Sequence, residues 1–418
     1  MSVKTDTYGA LPGRPTRQLL ADPLTVAIIN FNGKHHLREC LESVRQADGP
    51  IEQVIVVDDC STDRSPEFVR CEFPWVTLIE LPTNQGPAAA RNAALQSAKT
   101  RLVALLDNDV LVDRHWLVPL IEALASDEGA IICSSRVLVY ERPEILDRDG
   151  DEAHFVGMPT LRKAGTPVRE MHDLNPTETG SLSGISVLID TSRMRESVAF
   201  DTDYFYNFED LDFCLANRIL GHKCLVVPRS VVYHKYLSGG VPGLSHDPVD
   251  YSARRAFYVF RNRWFILMKF YTLRTLVVLA PALLLFELCT AAFAVKRKVF
   301  KTYLGAWRSF LVGLPRLLKK RRTIQRSRVR PDSALLSAHA LTLGPGTVQG
   351  TLSAWFARAV DSLLQGYWLR ARGLLAQSLT GPDGQEASHL GLAKSARPGP
   401  QRRLGVRRWE KRPDEYAA

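Results

Sequence analysis

The sequence RLVALLDND, residues 101–109, decides the fold of this chain. Residues 102–106 form a short apolar run without a polar face, which predicts a strand buried on both sides of a sheet. Asp107 and Asp109 follow where this strand leaves the sheet, and the carboxyl edge of an open α/β sheet is where ligands bind. Two carboxylates so close together repel each other unless a cation joins them, and Mg²⁺ or Mn²⁺ with substrate phosphates suits such a pair. An Asp-rich turn without a metal is the alternative interpretation.

Apolar runs before this stretch predict three more strands, at 24–31, 51–57 and 76–81. Helical spacing after the first run, and Gly86-Pro87 opening a helix after the third, place helices between them. This alternation predicts an α/β fold with a doubly wound, mostly parallel sheet. Further along, the pattern predicts a loop and strand at 180–190, a helix within 203–218 and a strand at 225–228 that is followed by the segment 231–234.

Polar side chains follow the first, second and fourth predicted strands, as the pairs Asn30/Asn32, Asp58/Asp59 and Asp107/Asp109. We expect them to share one edge of the sheet. Asp58 or Asp59 would accept hydrogen bonds from a base or ribose hydroxyl, or else cap the next helix. Arg91 would reach a phosphate from the helix that follows Gly86, or else lie on a solvated helix face.

Three motifs in this order resemble the family 2 glycosyltransferases of the bacterial rhamnosyl- and galactosyltransferase type. They are VVDDCSTD at 56–63, NQGPAAARN at 84–92 and LLDND at 105–109. Glu209-Asp210 and the later His234 look like the acceptor half of the same family, so the resemblance covers about residues 24–240. It implies a catalytic domain of the GT-A type that binds a nucleotide sugar.

The resemblance also implies roles for individual residues on the donor side. Asn30, Asn32, Asp58, Asp59, Arg91 and Asp107 would bind the donor nucleotide. Asp109 would bind a divalent metal, Mn²⁺ or Mg²⁺, with Asp107 on the ribose or the metal. His234 would complete the metal or diphosphate site, and a neutral imidazole suits Mn²⁺ better than Mg²⁺. Alternatively, a histidine after a strand has a purely structural role.

On the acceptor side, the resemblance implies that Asp210 is the catalytic base of an inverting displacement, with Glu209 beside it. Gly184 and Asp212 would lie near the acceptor. Acids in this position also suit a helix N-terminus, because they stabilise the positive end of the helix dipole. The charged stretch 142–175 has no recognisable pattern; we expect a loop there that shapes the acceptor site.

Residues 251–330 differ from the acidic region before them, because they carry 19 Lys and Arg and one acid, Glu287. The apolar run 275–295 has the length of a membrane span, interrupted by Pro281 and Glu287. Aromatic and apolar residues recur at helical spacing among Lys and Arg in 300–311, which is typical of a helix in a membrane interface with anionic lipid. A helical appendage on the catalytic domain, or a dimer interface, is the alternative. Nucleic acid is not expected as a partner, because no binding motif for it is present.

These observations predict five regions, listed here in order: a flexible N-terminus at 1–22, a GT-A catalytic domain at 23–250, a membrane-associating helical region at 251–330, a helical extension at 331–379 and a disordered tail at 380–418. The chain has no apolar signal region at its N-terminus, and its seven cysteines lack paired short spacing, so we expect a reducing compartment. The predicted location is the cytoplasmic face of the cell membrane.

The predicted function is transfer of a sugar from a nucleoside diphosphate sugar to a hydroxyl of a lipid-linked or cell-envelope glycan. One alternative is a nucleotidyltransferase on a related sheet, although the sequence has no Gly-rich activation loop near its N-terminus. The other is a non-catalytic membrane scaffold with the same fold.

Overall fold

A computed structural model describes residues 22–194, 198–235, 253–341 and 351–376, with side chains from 355 onward in the last range. The predictions for the N-terminus before residue 22 and for the tail at 380–418 lie outside these residues. Strands β1 to β6 are Leu24–Asn30, Ile51–Asp58, Thr77–Glu80, Leu102–Asp107, Val110–Val112 and Ala130–Val139. Strands β7 to β12 are Arg142–Arg148, Asp151–Ala153, Pro159–Leu161, Thr177–Glu178, Ser186–Asp190 and Lys223–His234.

The helices alternate with the early strands and then dominate the second half. Helices α1 to α5 are Lys34–Gln46, Ser65–Glu72, Pro87–Ser97, Leu117–Ser126 and Glu209–Ile219. Helices α6 to α10 are Ala253–Phe270, Leu273–Lys296, Phe300–Arg326, Asp332–Leu335 and Thr351–Ala376. The predicted α/β alternation in the first half is therefore confirmed.

The main sheet has the strand order β10-β12-β6-β11-β4-β1-β2-β3, with β5 and β7 added beside β12 and β6. The segment β4-β1-β2-β3 is entirely parallel, so the ends of β1, β2 and β4 meet at one edge. Strand β11 runs antiparallel between β4 and β6, and β12 runs parallel to β6. The sheet is mixed and mostly parallel, with all antiparallel pairs on the side beyond β4.

Both faces of the sheet are covered, which explains the continuous apolar runs. Every residue of β1 is buried, as is every residue of β4 except Asp107. Val26 and Ile28 of β1 belong to one core, which they share with α1 and α4. Ala27 and Ile29 belong to the opposite core, which contains residues of α3, α5 and α6. The site edge is thus held by a sheet with a packed core on each side.

Two predictions about local structure were wrong. The stretch 142–175 is not one loop, because β7, β8 and β9 lie within it and β7 extends the main sheet beside β6. The strand predicted at 225–228 is too short, because β12 continues to His234 after a register shift between Val227 and Val231. Irregular pairing of this kind leaves no clean alternation in the sequence.

Helix α6 is part of the core rather than a separate appendage. Phe265, Ile266 and Leu267 are buried in the same apolar cluster as residues of α5. The Lys269 ammonium is buried between the carboxylates of Asp201 and Asp212, at 2.7 Å from each. The sheet region and the helices that follow it are therefore packed together.

Candidate active site

The ends of β1 and β2 are joined by a chain of side-chain hydrogen bonds. The Asn30 amide donates to Asp58 Oδ1 at 2.7 Å, and the Asn108 amide donates to Asn30 Oδ1 at 2.7 Å. Asp58 Oδ2 accepts from the Ser61 backbone N–H at 2.8 Å. Asn32 Oδ1 accepts from the Thr62 N–H at 2.8 Å. The structure thus brings Asn30, Asn32 and Asp58 together at the edge predicted for them.

Asp59 shapes the turn that leads into α3. Its two carboxylate oxygens accept the backbone N–H groups of Gln85 and Gly86, at 2.7 and 2.8 Å. Gly86 has a φ of +83°, and a Cβ there would lie 2.1 Å from the Phe205 carbonyl oxygen. The alternative predicted for Asp59, a helix cap, is close to what is observed, although the helix concerned is α3 rather than the next one along the chain.

Asp109 lies beside His234 because β5, which starts directly after Asp109, pairs with the end of β12. His234 Nε2 is 3.3 Å from Asp109 Oδ2, and Nδ1 is 3.1 Å from Asp147 Oδ2. Burial opposes the charged form of His234, but the two carboxylates prevail and raise its pKa to about 9. Sequence analysis missed Asp147, since it lies in the stretch without a pattern.

These side chains suit a divalent cation in their chemistry. The described residues contain no group of three or more His, Cys, Asp or Glu side chains already arranged as metal ligands. However, a metal-binding histidine usually donates its second ring nitrogen to a carboxylate, which orients the imidazole. His234 has this arrangement, because Nδ1 lies beside Asp147 and Nε2 faces Asp109. Asp109 and His234 would be the ligands, with Asp147 orienting the imidazole. The Asp107 carboxyl, two residues before Asp109, is partly exposed at the same edge.

Arg91 lies beneath the site and faces three acids. Its Nη1 is 2.9 Å from Glu209 Oε1 and 2.8 Å from Asp210 Oδ1, and its Nη2 is 3.1 Å from Asp107 Oδ1. The Arg91 side chain is only 3% exposed, so it does not lie on a solvated helix face. The geometry also departs from the predicted phosphate contact, because both terminal nitrogens already bind carboxylates. Arg91 instead links Asp107, at the end of β4, to the Glu209-Asp210 pair.

Asp210 is held from two sides and remains partly open. Oδ1 accepts from Arg91, and Oδ2 accepts from the Gly184 backbone N–H at 2.9 Å. A side chain at Gly184 would collide with the Arg91 guanidinium, since a Cβ would lie 2.1 Å from its Nη2. The Asp210 side chain is 25% exposed, whereas Glu209 is 6% exposed. Asp210 is therefore the acid that a substrate can reach.

The buried environment makes the Glu209 carboxyl a weaker acid than an ordinary glutamate side chain. Burial and the neighbouring Asp210 charge raise the pKa of Glu209 to about 7, against the opposing effect of Arg91. Its Oε2 is buried without a hydrogen-bond partner among the described residues.

The acceptor-side prediction for Asp212 needs correction. Both Asp212 oxygens accept from the Lys269 ammonium, at 2.7 and 3.0 Å, and the side chain is 1% exposed. Asp212 follows Asp210 by two residues in α5, so the two side chains point in different directions from the helix. Asp212 therefore belongs to the interface with α6, and no acceptor role is assigned to it.

The sheet, with its acidic carboxyl edge, defines a protein of the mixed, mostly parallel α/β class. The family model "Glycosyl transferase family 2" matches residues 25–174, so this part of the chain is similar to that family.

Two curated proteins are similar to part of this chain. The succinoglycan biosynthesis protein ExoO of Rhizobium meliloti is 34% identical over 139 residues, which are 33% of this chain and 40% of ExoO. The pre-mycofactocin glycosyltransferase of Mycobacterium tuberculosis is 27% identical over 237 residues, 56% of this chain and 46% of that protein. The match thus spans less than half the length of either relative. The crystal structure of GalNAc-T7 with UDP, GalNAc and Mn²⁺ is 15% identical, with a TM-score of 0.48 and coverage of 70% of this chain and 57% of that one.

Proposed function

We propose that this chain is an inverting, metal-dependent glycosyltransferase that moves a sugar from a nucleoside diphosphate sugar to a hydroxyl acceptor. The observation that carries the proposal is the ion-pair cluster around Arg91. It connects an acid at the end of β4 to Asp210 at the start of α5, so the donor edge and a reachable base share one buried cation. The match of residues 25–174 to the glycosyl transferase family 2 model supports the same reaction class.

In this proposal each side chain has a separate task. Asn30 and Asp58 form a rigid hydrogen-bonded edge against which the nucleoside lies. Asp109 and His234 would hold the divalent cation, which stabilises the charge that develops on the leaving diphosphate. Asp210 accepts the proton of the acceptor hydroxyl. A single base and a direct displacement invert the anomeric centre, because no covalent intermediate forms.

The acceptor is proposed to be a lipid-linked or cell-envelope glycan at a membrane with anionic lipid. One helix among the described residues, α7, is long and apolar enough to cross a membrane. Only 17% of its most apolar 18-residue stretch is buried. Leu273, Val277, Leu284 and Leu288 on α7 are between 61 and 72% exposed. Glu287 faces inward, where it accepts from Arg263, Tyr303 and Trp307. The acid that interrupts the apolar run is therefore neutralised by protein, and the outer face stays apolar.

A thermal-shift screen of the full chain in detergent tests the donor site. UDP, dTDP, GDP and ADP would each be added with and without Mn²⁺ or Mg²⁺, because binding to the folded state raises the midpoint of unfolding. The proposal predicts a rise with one nucleotide that needs metal and disappears in Asp109→Ala. Asp127→Ala is the matched control, since Asp127 pairs with Lys223 just before β6, at the opposite edge of the sheet. A folded sample that responds to none of the nucleotides, or an unchanged response in Asp109→Ala, would overturn the proposed site.

A further inference from the structure

The five residues before helix α5, 204–208, have an unusual backbone. Phe205, Asn207 and Phe208 have φ values of 60, 61 and 72°, in the left-handed region that side chains other than glycine rarely adopt. Helix α5 starts immediately afterwards, with Glu209 and Asp210 as its first two residues. Backbone in such conformations persists only where the surroundings hold it in place, and it clusters at functional sites. The direction in which α5 starts, and with it the position of Asp210, depends on this segment.

Asn262 of α6 contacts the segment through three backbone carbonyls. Its side-chain nitrogen is 3.0 Å from Tyr204 O, 2.9 Å from Tyr206 O and 2.8 Å from Asn207 O. The Asn262 side chain is fully buried. Buried carbonyls without a donor are unfavourable, so the amide stabilises the arrangement in which all three oxygens point toward α6.

Neighbouring residues of α6 strengthen the same contact. Arg261 Nη2 donates to Asp203 O and Tyr204 O, at 2.8 Å in each case. The Phe205 ring stacks on Tyr258, with ring centroids 5.2 Å apart. On the other side of the segment, the Phe205 carbonyl packs against Gly86, where a Cβ would lie 2.1 Å away. The segment is therefore fixed between α6 and the turn that starts α3.

We infer that Asn262 is a positioning residue for the transfer reaction: its side-chain amide holds segment 204–208 in the left-handed conformation that places the Asp210 carboxylate. The inference rests on the proposed function, in which Asp210 is the base. Asn262 lies beyond the family match, and its hydrogen bonds among the described residues go to α6 and segment 204–208 rather than to β1, β2 or β4. Helix α6 thus has a catalytic purpose in addition to packing.

The kinetic test uses Asn262→Ala and Asn262→Ser in the full chain, in detergent. The reaction is release of nucleoside diphosphate from UDP-glucose, dTDP-rhamnose or GDP-mannose, with water in place of the acceptor. A base displaced by about 1 Å costs on the order of 100-fold in rate, so kcat of Asn262→Ala is expected to fall by about that factor. Donor KM should stay within about threefold, because the donor edge is untouched. Asn262→Ser retains one donor and should have an intermediate kcat.

The matched control is Asn217→Ala. Asn217 is also a fully buried asparagine, but its amide donates to Phe213 O within α5 itself, at 2.9 Å. This variant should lose stability without a comparable loss of kcat. A folded Asn262→Ala protein with wild-type kcat would overturn the inference. The inference would also be overturned if Asn262→Ala and Asn217→Ala changed kcat and donor KM to the same extent as each other. That result would indicate a purely structural role for Asn262.

Hydrogen–deuterium exchange separates this inference from the proposed function. Amides in residues 203–213 should exchange faster in Asn262→Ser and Asn262→Ala than in wild type, while those of β1 and β4 stay protected. This readout needs no substrate. Faster exchange without any wild-type turnover would contradict the proposed function and leave the structural contact intact. If the amides of residues 203–213 exchange at the wild-type rate in these variants, the inference itself is contradicted. If Asn262→Ala fails to fold, Asn262→Ser alone provides this test.

Discussion

Arg91 is the residue on which the acidic site depends most. It neutralises Asp107, Glu209 and Asp210 in a place where its own side chain is 3% exposed. Removing one partner of a buried ion pair leaves uncompensated charge, which typically costs about 3–5 kcal/mol. We expect Arg91→Met to lower the free energy of unfolding by about that amount, as measured by urea denaturation at neutral pH.

The control for this measurement is Arg38→Met. Arg38 is half-exposed and pairs with Glu72 at 3.0 Å on the surface. Exposed pairs contribute at most about 1 kcal/mol, so this variant should stay close to wild type. Equal stabilities of the Arg38 and Arg91 variants would contradict the role given to Arg91.

His154 gives the protein a specific dependence on pH. Burial lowers the pKa of His154 to about 3, and its Nδ1 accepts from the Val156 N–H. The unfolded chain keeps a value of 6.5 and therefore takes up the proton first as the pH falls. Stability from this group is complete above pH 6.5 and is lost below it, by up to about 1.4 kcal/mol per pH unit.

The measurement compares wild type with His154→Asn, whose side-chain oxygen can still accept the Val156 N–H. Urea denaturation near pH 7.5 and pH 5.5 gives the change in unfolding free energy for each protein. The wild-type loss should exceed that of the variant by about 1 kcal/mol. Parallel losses in the two proteins would contradict the burial argument.

At the scale of elements, the apolar outer face of α7 predicts membrane binding that resists high salt. Leu284 and Leu288 are both 61% exposed, and at about 1 M salt the Debye length is only about 3 Å, so electrostatic binding is screened. Wild type should therefore stay bound to vesicles containing phosphatidylglycerol in high salt. The double variant Leu284→Glu/Leu288→Glu should bind only at low salt, as measured by flotation.

Trp75→Glu is the control, because Trp75 is an exposed aromatic residue of the sheet domain. It should float with the vesicles like wild type. Release of the wild-type protein by high salt would leave only electrostatic binding and contradict the hydrophobic contact.

The elements that sequence analysis identified are those whose signal is local. Strands β1 and β4 are buried on both faces, so their apolar runs and terminal acids can be read directly. Asp147 could not be found, because its role depends on β7 bringing it to His234 across 87 positions of sequence. The hydrogen bonds from Asn262 to segment 204–208 are also long-range, since they span more than 50 residues of sequence. Local patterns therefore reveal the sheet edge, whereas its supporting contacts come from tertiary packing.

At the scale of the whole molecule, the contacts of α6 indicate that the sheet domain needs the later helices for its stability. A chain ending at residue 250 would lack Lys269, which neutralises the buried Asp201 and Asp212. It would also expose the apolar core that α6 covers. We expect this truncated chain to be at least about 3–5 kcal/mol less stable than the full chain and to aggregate or unfold without cooperativity. Thermal unfolding followed by circular dichroism measures this, and a cooperative transition at the full-chain midpoint would contradict it.

We propose that the chain is an enzyme with Asp210 as its catalytic base. The most direct measurement is nucleotide-sugar turnover by Asp210→Asn beside wild type, with nucleotide binding followed in the same samples. The account predicts a loss of turnover of about 100- to 10,000-fold, because a general base contributes that much, with the metal-dependent nucleotide response retained. A folded Asp210→Asn protein that turns over like wild type would contradict the account.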